Sequence, residues 1–278
     1  MATQKKIHNL HYNAGFLSGQ DKTELLTWLK TLHPIWEFRF SKNNPPPPED
    51  EQRRLLRPVY WLGNWQFACL DYFHPPKGID FRCVKAEVFP PVLQKLVNKM
   101  EESARRMYHG ADMPTKWHLN TCLVNFYGDE MIDGKKIDNA RVGDHQDFEP
   151  GPVASLSLGE RAFFQFVHGK EKDLQKKVVH EQWLTDGSML IFGGKKWKEE
   201  TFHRVQRVEN KGVFQFPLSF DNFFTRRINF TFRYVPIEHI LPLNKFPAPF
   251  IEDVLPYVKE LAPFSRHFAK ILDDLNQK

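Results

Sequence analysis

Residues 226–234 read Arg-Arg-Ile-Asn-Phe-Thr-Phe-Arg-Tyr, a run that alternates between polar and apolar side chains. Because successive side chains of a β-strand point to opposite faces, one face is polar and the other mostly apolar. An edge strand facing solvent would alternate too, but it would seldom need arginines at both ends of its polar face. About 20 Å of extended chain separates the two arginines, and their guanidinium groups match carboxylates. The polar face consists of Arg227, Asn229, Thr231 and Arg233.

The two-residue period continues through the region from Leu119 to Tyr234, in short β-branched and aromatic runs separated by Gly and charged turns. Many short strands with turn signals are typical of an antiparallel sandwich or barrel. Helical periodicity lies on both sides of this region, so we predict an α+β fold with a jelly-roll core flanked by N- and C-terminal helices. The predicted strands are Leu119–Tyr127, Val153–Leu158, Ala162–Val167, Val178–Leu184, Ser188–Phe192, Phe202–Val208 and Arg226–Tyr234.

Three amphipathic helices are predicted, from about Ser18 to Leu32, from about Pro91 to Met107, and after Ser265. The prolines at 45–48 can neither continue a helix nor pair inside a sheet, so they form an extended connector. We predict one domain over 1–278. Its parts are an N-terminal helical segment (1–44), a lid-like region with a supporting helix (45–118), the jelly-roll core (119–235) and a C-terminal helical extension (236–278).

The composition limits the class of protein. The 278 residues are 14% aromatic, and 39 Lys and Arg exceed 34 Asp and Glu, which gives a net charge of +5. A basic, aromatic chain suits nucleic-acid binding, although a Phe-rich β core accounts for the composition more simply. No apolar run is long enough to span a membrane, and neither a leader peptide nor a disulfide framework is visible. We therefore expect a cytoplasmic monomer with no membrane association, or a nuclear one if the source is eukaryotic.

A candidate metal site comes from His145 and Asp147, which share a face of an extended segment. A third ligand must come from elsewhere, and His203 lies in another strand-like run. Two histidines and one carboxylate form the facial triad of non-haem Fe(II) oxygenases, which leaves positions open for co-substrate and O2. A His-x-Asp pair alone is common, so the spacing by itself is weak support.

In this order, the motifs resemble the AlkB-type dioxygenases, closely from about Asn120 to Tyr234 and more loosely at the helix start of residues 15–18. The motifs are Asn125-x-Tyr127, His145-x-Asp147, Ser155-Leu156-Ser157-Leu158-Gly159, Phe164-Gln165-Phe166, Phe192-Gly193-Gly194, His203 and Arg227-x-Asn229-x-Thr231-x-Arg233.

The family resemblance implies a double-stranded β-helix and an enzyme that uses Fe(II), O2 and 2-oxoglutarate. The implied reaction demethylates N-alkylated bases of the 1-methyladenine or 3-methylcytosine type in DNA or RNA, and releases succinate, CO2 and formaldehyde. The resemblance makes His145, Asp147 and His203 the iron ligands. It places Arg227, helped by Asn229 and Tyr127, at the distal carboxylate of 2-oxoglutarate, and Arg233 with Asn125 at the carboxylate beside the keto group.

The same resemblance suggests contacts to the nucleic acid. Glu149 would accept a hydrogen bond from the exocyclic amine of the flipped base. Trp65 would stack on that base, with Trp61 as the competing candidate, and Tyr72 would contact a phosphate. A basic patch just before His203 could follow the phosphates, although a solvated loop is nearly as good an interpretation. The patch consists of Lys195, Lys196, Lys198 and Arg204.

Two other functions stay open. The same iron chemistry could act on a protein or a small molecule, since some AlkB relatives do not use nucleic acid bases. A non-catalytic nucleic-acid binding protein is the alternative of another class, but such a protein has no need of metal ligands. The Phe-rich stretch within 209–224 and the C-terminal extension depart from the family pattern, and either could reshape the choice of substrate.

Overall fold

The fold was analysed in a computed structural model, which describes residues 7–38, 54–66, 83–169, 176–206, 219–220 and 222–277. The helices are α1 (Gly19–Leu29), α2 (Pro91–Arg105), α3 (Gly194–Lys198), α4 (Ala248–Leu261) and α5 (Arg266–Asn276). The strands are β1 (Leu10–Asn13), β2 (Val59–Leu62), β3 (Asn64–Gln66), β4 (Cys83–Lys85), β5 (Thr121–Ile132), β6 (Lys135–Asp138), β7 (Val142–His145), β8 (Val153–Gly159), β9 (Ala162–His168), β10 (Lys177–Leu184), β11 (Met189–Phe192), β12 (Phe202–Gln206), β13 (Ser219–Phe220) and β14 (Phe223–Arg233).

Two antiparallel sheets form the core of the described chain. The larger sheet has the order β1-β11-β8-β14-β5-β2, and in addition β6 pairs with β5 and β13 pairs with β14. The smaller sheet has the order β10-β9-β12-β7. Neighbouring strands come from distant parts of the sequence, as in a jelly roll, where the chain crosses repeatedly between the two sheets. The strand β14 lies between β8 and β5 and is therefore at the centre of the larger sheet.

The larger sheet is covered on both sides. The outward side chains of β14 contact the helical layer, where Trp28 of α1 stacks near Phe230 and Phe89 meets Phe232 edge to face. The other face of the sheet is turned toward the smaller sheet, where Phe164, Phe166 and their neighbours form a second apolar cluster. Burial on both faces explains why most residues of β14 are buried, including Arg227 and Arg233.

An irregularity near the start of β14 separates two neighbouring arginines. Thr225 pairs with Gly128 and Arg227 pairs with Tyr127, so Arg226 is an extra residue, a β-bulge. Gly128 fits because a Cβ at this position would lie 1.9 Å from the carbonyl oxygen of Phe224. Beyond the bulge, Arg226 pairs with Asp138 at 2.9 Å, while Arg227 points into the space between the sheets.

The predicted α+β fold with a jelly-roll core is confirmed. Each of the three predicted helices exists, and Ser18 and Ser265 cap the first and the last through their side-chain oxygens. The helix α4 was missed, because its prolines, one of them at position 256 inside the helix, weaken the helical pattern. The proline connector and most of the stretch within 209–224 lie outside the described residues, and the division of the chain into parts stays a prediction.

None of the helices in the described ranges is long and apolar enough to cross a lipid bilayer.

Candidate active site

The two predicted histidine ligands face each other across a strand pair. His145 ends β7, His203 lies in β12, and the two residues are direct partners in the antiparallel register. Their ring centroids are 4.2 Å apart. The Nδ1 of His145 lies 2.8 Å from the carbonyl oxygen of Gly143, which orients the ring with Nε2 available as a ligand.

Asp147 joins the histidines from the loop that follows β7. Its Oδ2 lies 3.3 Å from Nε2 of His203, and its Oδ1 accepts a hydrogen bond of 2.7 Å from Nε of Arg233. Between His145 and Asp147, the Nε2 of Gln146 donates to the carbonyl oxygens of Glu199 and Thr201. This tie holds the His-x-Asp segment against the chain that leads into His203. The structure therefore brings together all three residues that the resemblance made iron ligands.

The protonation states at this point favour metal binding. Burial, together with the neighbouring His203, lowers the pKa of His145 to about 3, so its ring is neutral at physiological pH. Burial alone would raise the pKa of Asp147, but the Arg233 guanidinium and His203 hold it well below its ordinary value. A neutral imidazole and an ionised carboxylate are the forms that bind a metal ion.

The other end of β14 holds a buried cation, Arg227, which is only 3% exposed, and we call its surroundings the candidate 2-oxoglutarate pocket. Its Nη2 donates to Oγ of Ser157 at 3.1 Å, and its guanidinium carbon lies 4.8 Å from the centroid of the Tyr127 ring. Its Nε and Nη1 are buried without a hydrogen-bond partner in the described part of the chain. Burial is the main effect that lowers the pKa of Arg227, and Tyr127 and Glu160 offset it only in part, so the charge is incompletely compensated here. Such a pocket suits an anion that presents a carboxylate.

The two asparagines near this pocket make mainly protein contacts. The Nδ2 of Asn229 donates to Oγ of Ser155 and to the Leu156 carbonyl, and its Oδ1 accepts from Thr231. Asn125 accepts a hydrogen bond of 2.8 Å from Nε of Arg57. In this conformation both residues therefore brace their neighbours, and their predicted contacts with 2-oxoglutarate stay predictions.

This geometry agrees with what comparison with known proteins finds. The model of the 2OG-Fe(II) oxygenase superfamily matches residues 9–233, which is most of the chain. The chain belongs to the 2OG-Fe(II) oxygenase superfamily. The oxygenase is thus an Fe(II)- and 2-oxoglutarate-dependent dioxygenase, as the sequence predicted. No curated protein sequence matches it significantly.

Among solved structures, the one titled "The structure of OsALKBH1" matches the oxygenase with a TM-score of 0.50 and 21% identity. The match covers 83% of this chain and 100% of that one. It shows a shared fold, that of an AlkB homologue. Two structures of YcfD from Escherichia coli, one titled a ribosomal oxygenase in complex with cobalt and succinic acid, match at 11% and 10% identity, with TM-scores of 0.32 and 0.33. They cover 91% of this chain and 53% and 55% of their own.

The side chains of His145, Asp147 and His203 fit the iron that the family uses, once they move closer together. Among the described residues, no three His, Cys, Asp or Glu side chains are already gathered closely enough to ligate a metal ion. Oδ1 of Asp147 accepts the hydrogen bond from Arg233. However, Oδ2 of Asp147 and Nδ1 of His203 are buried without a hydrogen-bond partner in the described ranges. Buried, unsatisfied polar atoms are costly, and coordination of a metal by the carboxylate would relieve part of that cost.

Glu149, the predicted substrate contact, lies in the same network. Its Oε1 accepts a hydrogen bond of 2.7 Å from Nε2 of Gln66 and is 3.5 Å from Nε of Arg233. Its carbonyl oxygen accepts from Nζ of Lys198 at 2.5 Å. The second carboxylate oxygen, Oε2, is buried without a hydrogen-bond partner among the described residues. Glu149 therefore adjoins the candidate iron ligands through Arg233.

The structure contradicts the stacking role predicted for Trp65. The ring is only 2% exposed and packs edge to face against Tyr257 of α4 and Phe268 of α5. Its Nε1 donates to the buried carboxylate of Glu37, and the competing candidate Trp61 donates to the same oxygen. Two indoles enclosed in this way leave no face for a base. The physical reason is that α4, which was not predicted, and α5 together cover the Trp65 ring through Tyr257 and Phe268. Tyr72 lies outside the described residues.

The predicted basic patch divides into two parts. Lys195 and Lys196 are exposed on α3, whereas Lys198 turns inward to Glu149. Arg204 is engaged with Oε1 of Gln165 and lies 3.6 Å from the carboxylate of Asp144. Of the four residues, Lys195 and Lys196 are therefore the candidates for phosphate contacts, although Lys195 lies 3.6 Å from the exposed Glu200 carboxylate.

Several residues of the site were missed by the sequence reasoning. Arg57 and Gln66 lie in the lid-like region and approach the site from β2 and β3, and Gln146 sits between two predicted ligands. Ser155 and Ser157 were quoted only as part of a motif, yet their hydroxyls hold Asn229 and Arg227. The two-residue spacing of the serines on a strand was the one available signal. Arg57 and Gln66 gave none, because strand pairing alone brings them here.

Proposed function

We propose that the oxygenase removes methyl groups from N-methylated bases of the 1-methyladenine or 3-methylcytosine type in DNA or RNA. Oxidation of the N-methyl carbon gives a hemiaminal, which releases formaldehyde and leaves the unmodified base. A nucleic acid partner and an intracellular location, nuclear if the source is eukaryotic, go with this proposal. The observation that carries it is the Glu149 carboxylate beside the iron ligands.

Glu149 has the chemistry that these bases require. Methylation at N1 of adenine or N3 of cytosine gives the ring a positive charge at neutral pH and keeps the exocyclic amino group as a donor. A carboxylate with one buried oxygen lacking a partner in the described residues can accept that hydrogen bond and offset the charge. Gln66 fixes the other oxygen at 2.7 Å, so the acceptor is held in one orientation before the base arrives.

The remaining residues of the site would bind the metal, bind 2-oxoglutarate or exclude water. Bound Fe(II) supplies the chemistry that couples O2 and 2-oxoglutarate to oxidation of a substrate C–H bond. His145, Asp147 and His203 would hold the metal, and Arg227 would neutralise the distal carboxylate of 2-oxoglutarate. The rings of Phe164, Phe166 and Phe192 lie 5.6, 6.0 and 5.1 Å from the His203 ring, measured between centroids, and keep water away from that ligand.

The test is incubation with Fe(II), ascorbate, 2-oxoglutarate and oligonucleotides that carry 1-methyladenine or 3-methylcytosine, as DNA and as RNA. Mass spectrometry should detect loss of the methyl group. Glu149→Gln should lower demethylation about tenfold or more, since it removes a charge-assisted hydrogen bond. Glu199→Gln, on an exposed glutamate of the same region, is the matched control and should leave the rate unchanged.

The same experiment tests the dioxygenase reaction and the nucleic acid substrate separately. If the wild-type protein converts 2-oxoglutarate to succinate but no oligonucleotide loses a methyl group, the nucleic acid proposal fails while the dioxygenase assignment stands. That result would favour the second candidate, oxidation of a protein or a small molecule. The burial of Trp61 and Trp65 is the observation in its favour, because it removes the predicted aromatic platform for a base.

A further inference from the structure

Arg57, which the sequence did not single out, lies next to the candidate 2-oxoglutarate pocket. It precedes β2, where Val59 pairs with Asn125 of β5. The pairing continues backwards along the chain, since the amide of Phe126 donates to the carbonyl of Pro58 at 3.1 Å. In an antiparallel register this brings Arg57 across from Tyr127. Tyr127 is also the direct partner of Arg227 on the other side, in β14.

Two of the contacts of Arg57 are to residues that the resemblance places at the co-substrate. Its Nε donates a hydrogen bond of 2.8 Å to Oδ1 of Asn125. Its guanidinium carbon lies 4.8 Å from the centroid of the Tyr127 ring, the same distance as that of Arg227. Both distances are within the range of a cation–π interaction. Tyr127 therefore has a guanidinium group from each neighbouring strand.

We propose that Arg57 is a positioning residue for 2-oxoglutarate, which fixes the Asn125 amide and the Tyr127 ring and adds a second positive charge beside that of Arg227. The hydrogen bond leaves the Asn125 amide one orientation, with its oxygen toward Arg57. Its NH2 group donates one long hydrogen bond of 3.5 Å to the Leu123 carbonyl oxygen and keeps a second hydrogen that a carboxylate could accept. The charge matters because the co-substrate is a dianion. Arg57 also opposes the charge of Arg227, one of the effects that lower the Arg227 pKa, and a bound dicarboxylate would relieve that repulsion.

A purely structural role would make Arg57 a brace between β2 and β5. Those strands are already held by their own ladder over four residue pairs, from Val59–Asn125 to Leu62–Cys122. The backbone of Ile35 adds two hydrogen bonds to Val59, of 2.8 and 2.9 Å. Replacement of Arg57 should therefore leave the melting temperature nearly unchanged while it changes ligand affinity.

The experiment measures binding, by calorimetry, of N-oxalylglycine to the Mn(II)-loaded protein. This compound is a non-reacting dicarboxylate analogue of 2-oxoglutarate. Arg57→Gln should weaken its binding about tenfold, the effect of losing a charged hydrogen-bonding group. Arg57→Lys, which keeps the charge but loses the planar fork, should give a smaller loss. The matched control is Arg54→Gln, because Arg54 pairs with Glu130 at 2.6 Å and lies over Trp36.

A double-mutant cycle tests whether Arg57 acts through Asn125. In an Asn125→Ala background, Arg57→Gln should cost clearly less affinity than in the wild type, since part of what it positions is already gone. Unchanged affinity in Arg57→Gln, or an equal loss in both backgrounds, would overturn the proposal. If Arg57→Gln proves too unstable to load, Arg57→Lys decides: it must weaken N-oxalylglycine binding at an unchanged melting temperature, and wild-type affinity would refute the role.

Discussion

The two ends of β14 hold buried arginines in opposite electrostatic surroundings. Arg233 donates to Asp147 at 2.7 Å and lies 3.5 Å from Glu149. Arg227 has no carboxylate within salt-bridge distance among the described residues, and its neighbours there are a serine hydroxyl and the Tyr127 ring. One end of the strand is thus neutralised by the protein itself. The other is a buried cation that the fold leaves incompletely paired, as expected where an anionic co-substrate supplies the partner.

The largest expected effect is a difference in stability between the two arginines. Arg233→Gln should lower the free energy of unfolding by about 3 kcal/mol, because it leaves the Asp147 carboxylate buried without its cation. Arg227→Gln should leave stability unchanged or raise it, since it removes a cation that lacks a full set of partners. Urea unfolding of the metal-free proteins measures both. Equal losses of unfolding free energy in the two variants would contradict the inference that the two ends of β14 differ in charge compensation.

The difference in stability between wild type and Arg233→Gln should depend on pH in a definite direction. Because Arg233 and His203 depress the folded-state pKa of Asp147, the pairing contributes stability above the unfolded pKa, about 3.9. This contribution is lost as the pH falls through the lower folded pKa. The gap between wild type and Arg233→Gln should therefore be widest near neutrality and should narrow below about pH 4. Unfolding curves measured across this range would refute the account if the gap stayed constant.

A loss of stability of nearly equal size is expected at Trp65. The sequence predicted that this residue contacts the substrate, whereas the structure places it in the core. Trp65→Ala should destabilise the protein by about 3 kcal/mol or more, as large-to-small changes in a core do. Trp65→Phe keeps most of the volume but leaves Glu37 with one indole donor fewer, so its cost should be smaller. If Trp65→Ala instead kept its stability and lost only affinity for methylated oligonucleotides, Trp65 would be a lid residue after all.

The smallest effect is expected outside the site. The helix α3 runs from the exposed Lys195 and Lys196 to Lys198, which contacts Glu149 at the neutralised end. Reversing the charge of Lys195 and Lys196 should flatten the salt dependence of oligonucleotide binding by about one to two units of slope, without affecting 2-oxoglutarate turnover. An unchanged slope would show that the two lysines do not contact phosphate.

Features that depend on residues close together in the sequence could be predicted, whereas features that depend on residues distant in the sequence could not. The alternation of Arg227 and Arg233 with apolar residues, and the order of His145, Asp147 and His203, are local patterns. They predicted the fold, which the structure confirms, and the candidate iron ligands, which stay a prediction. The stacking role predicted for Trp65 was wrong because its surroundings come in part from α4. This helix is distant in sequence, and Pro256 weakens its helical pattern. Arg57 could not be found at all, since only the register of β2 against β5 brings it to Tyr127.

The most direct test of the central claim, that β14 joins a metal end to a carboxylate end, is native mass spectrometry with Mn(II) and N-oxalylglycine. We predict one metal ion and one N-oxalylglycine for each wild-type chain. Asp147→Ala should bind neither, and Arg227→Gln should keep the metal ion while it loses N-oxalylglycine. The claim would be contradicted if Asp147→Ala retained the metal ion, or if Arg227→Gln bound N-oxalylglycine as tightly as the wild type.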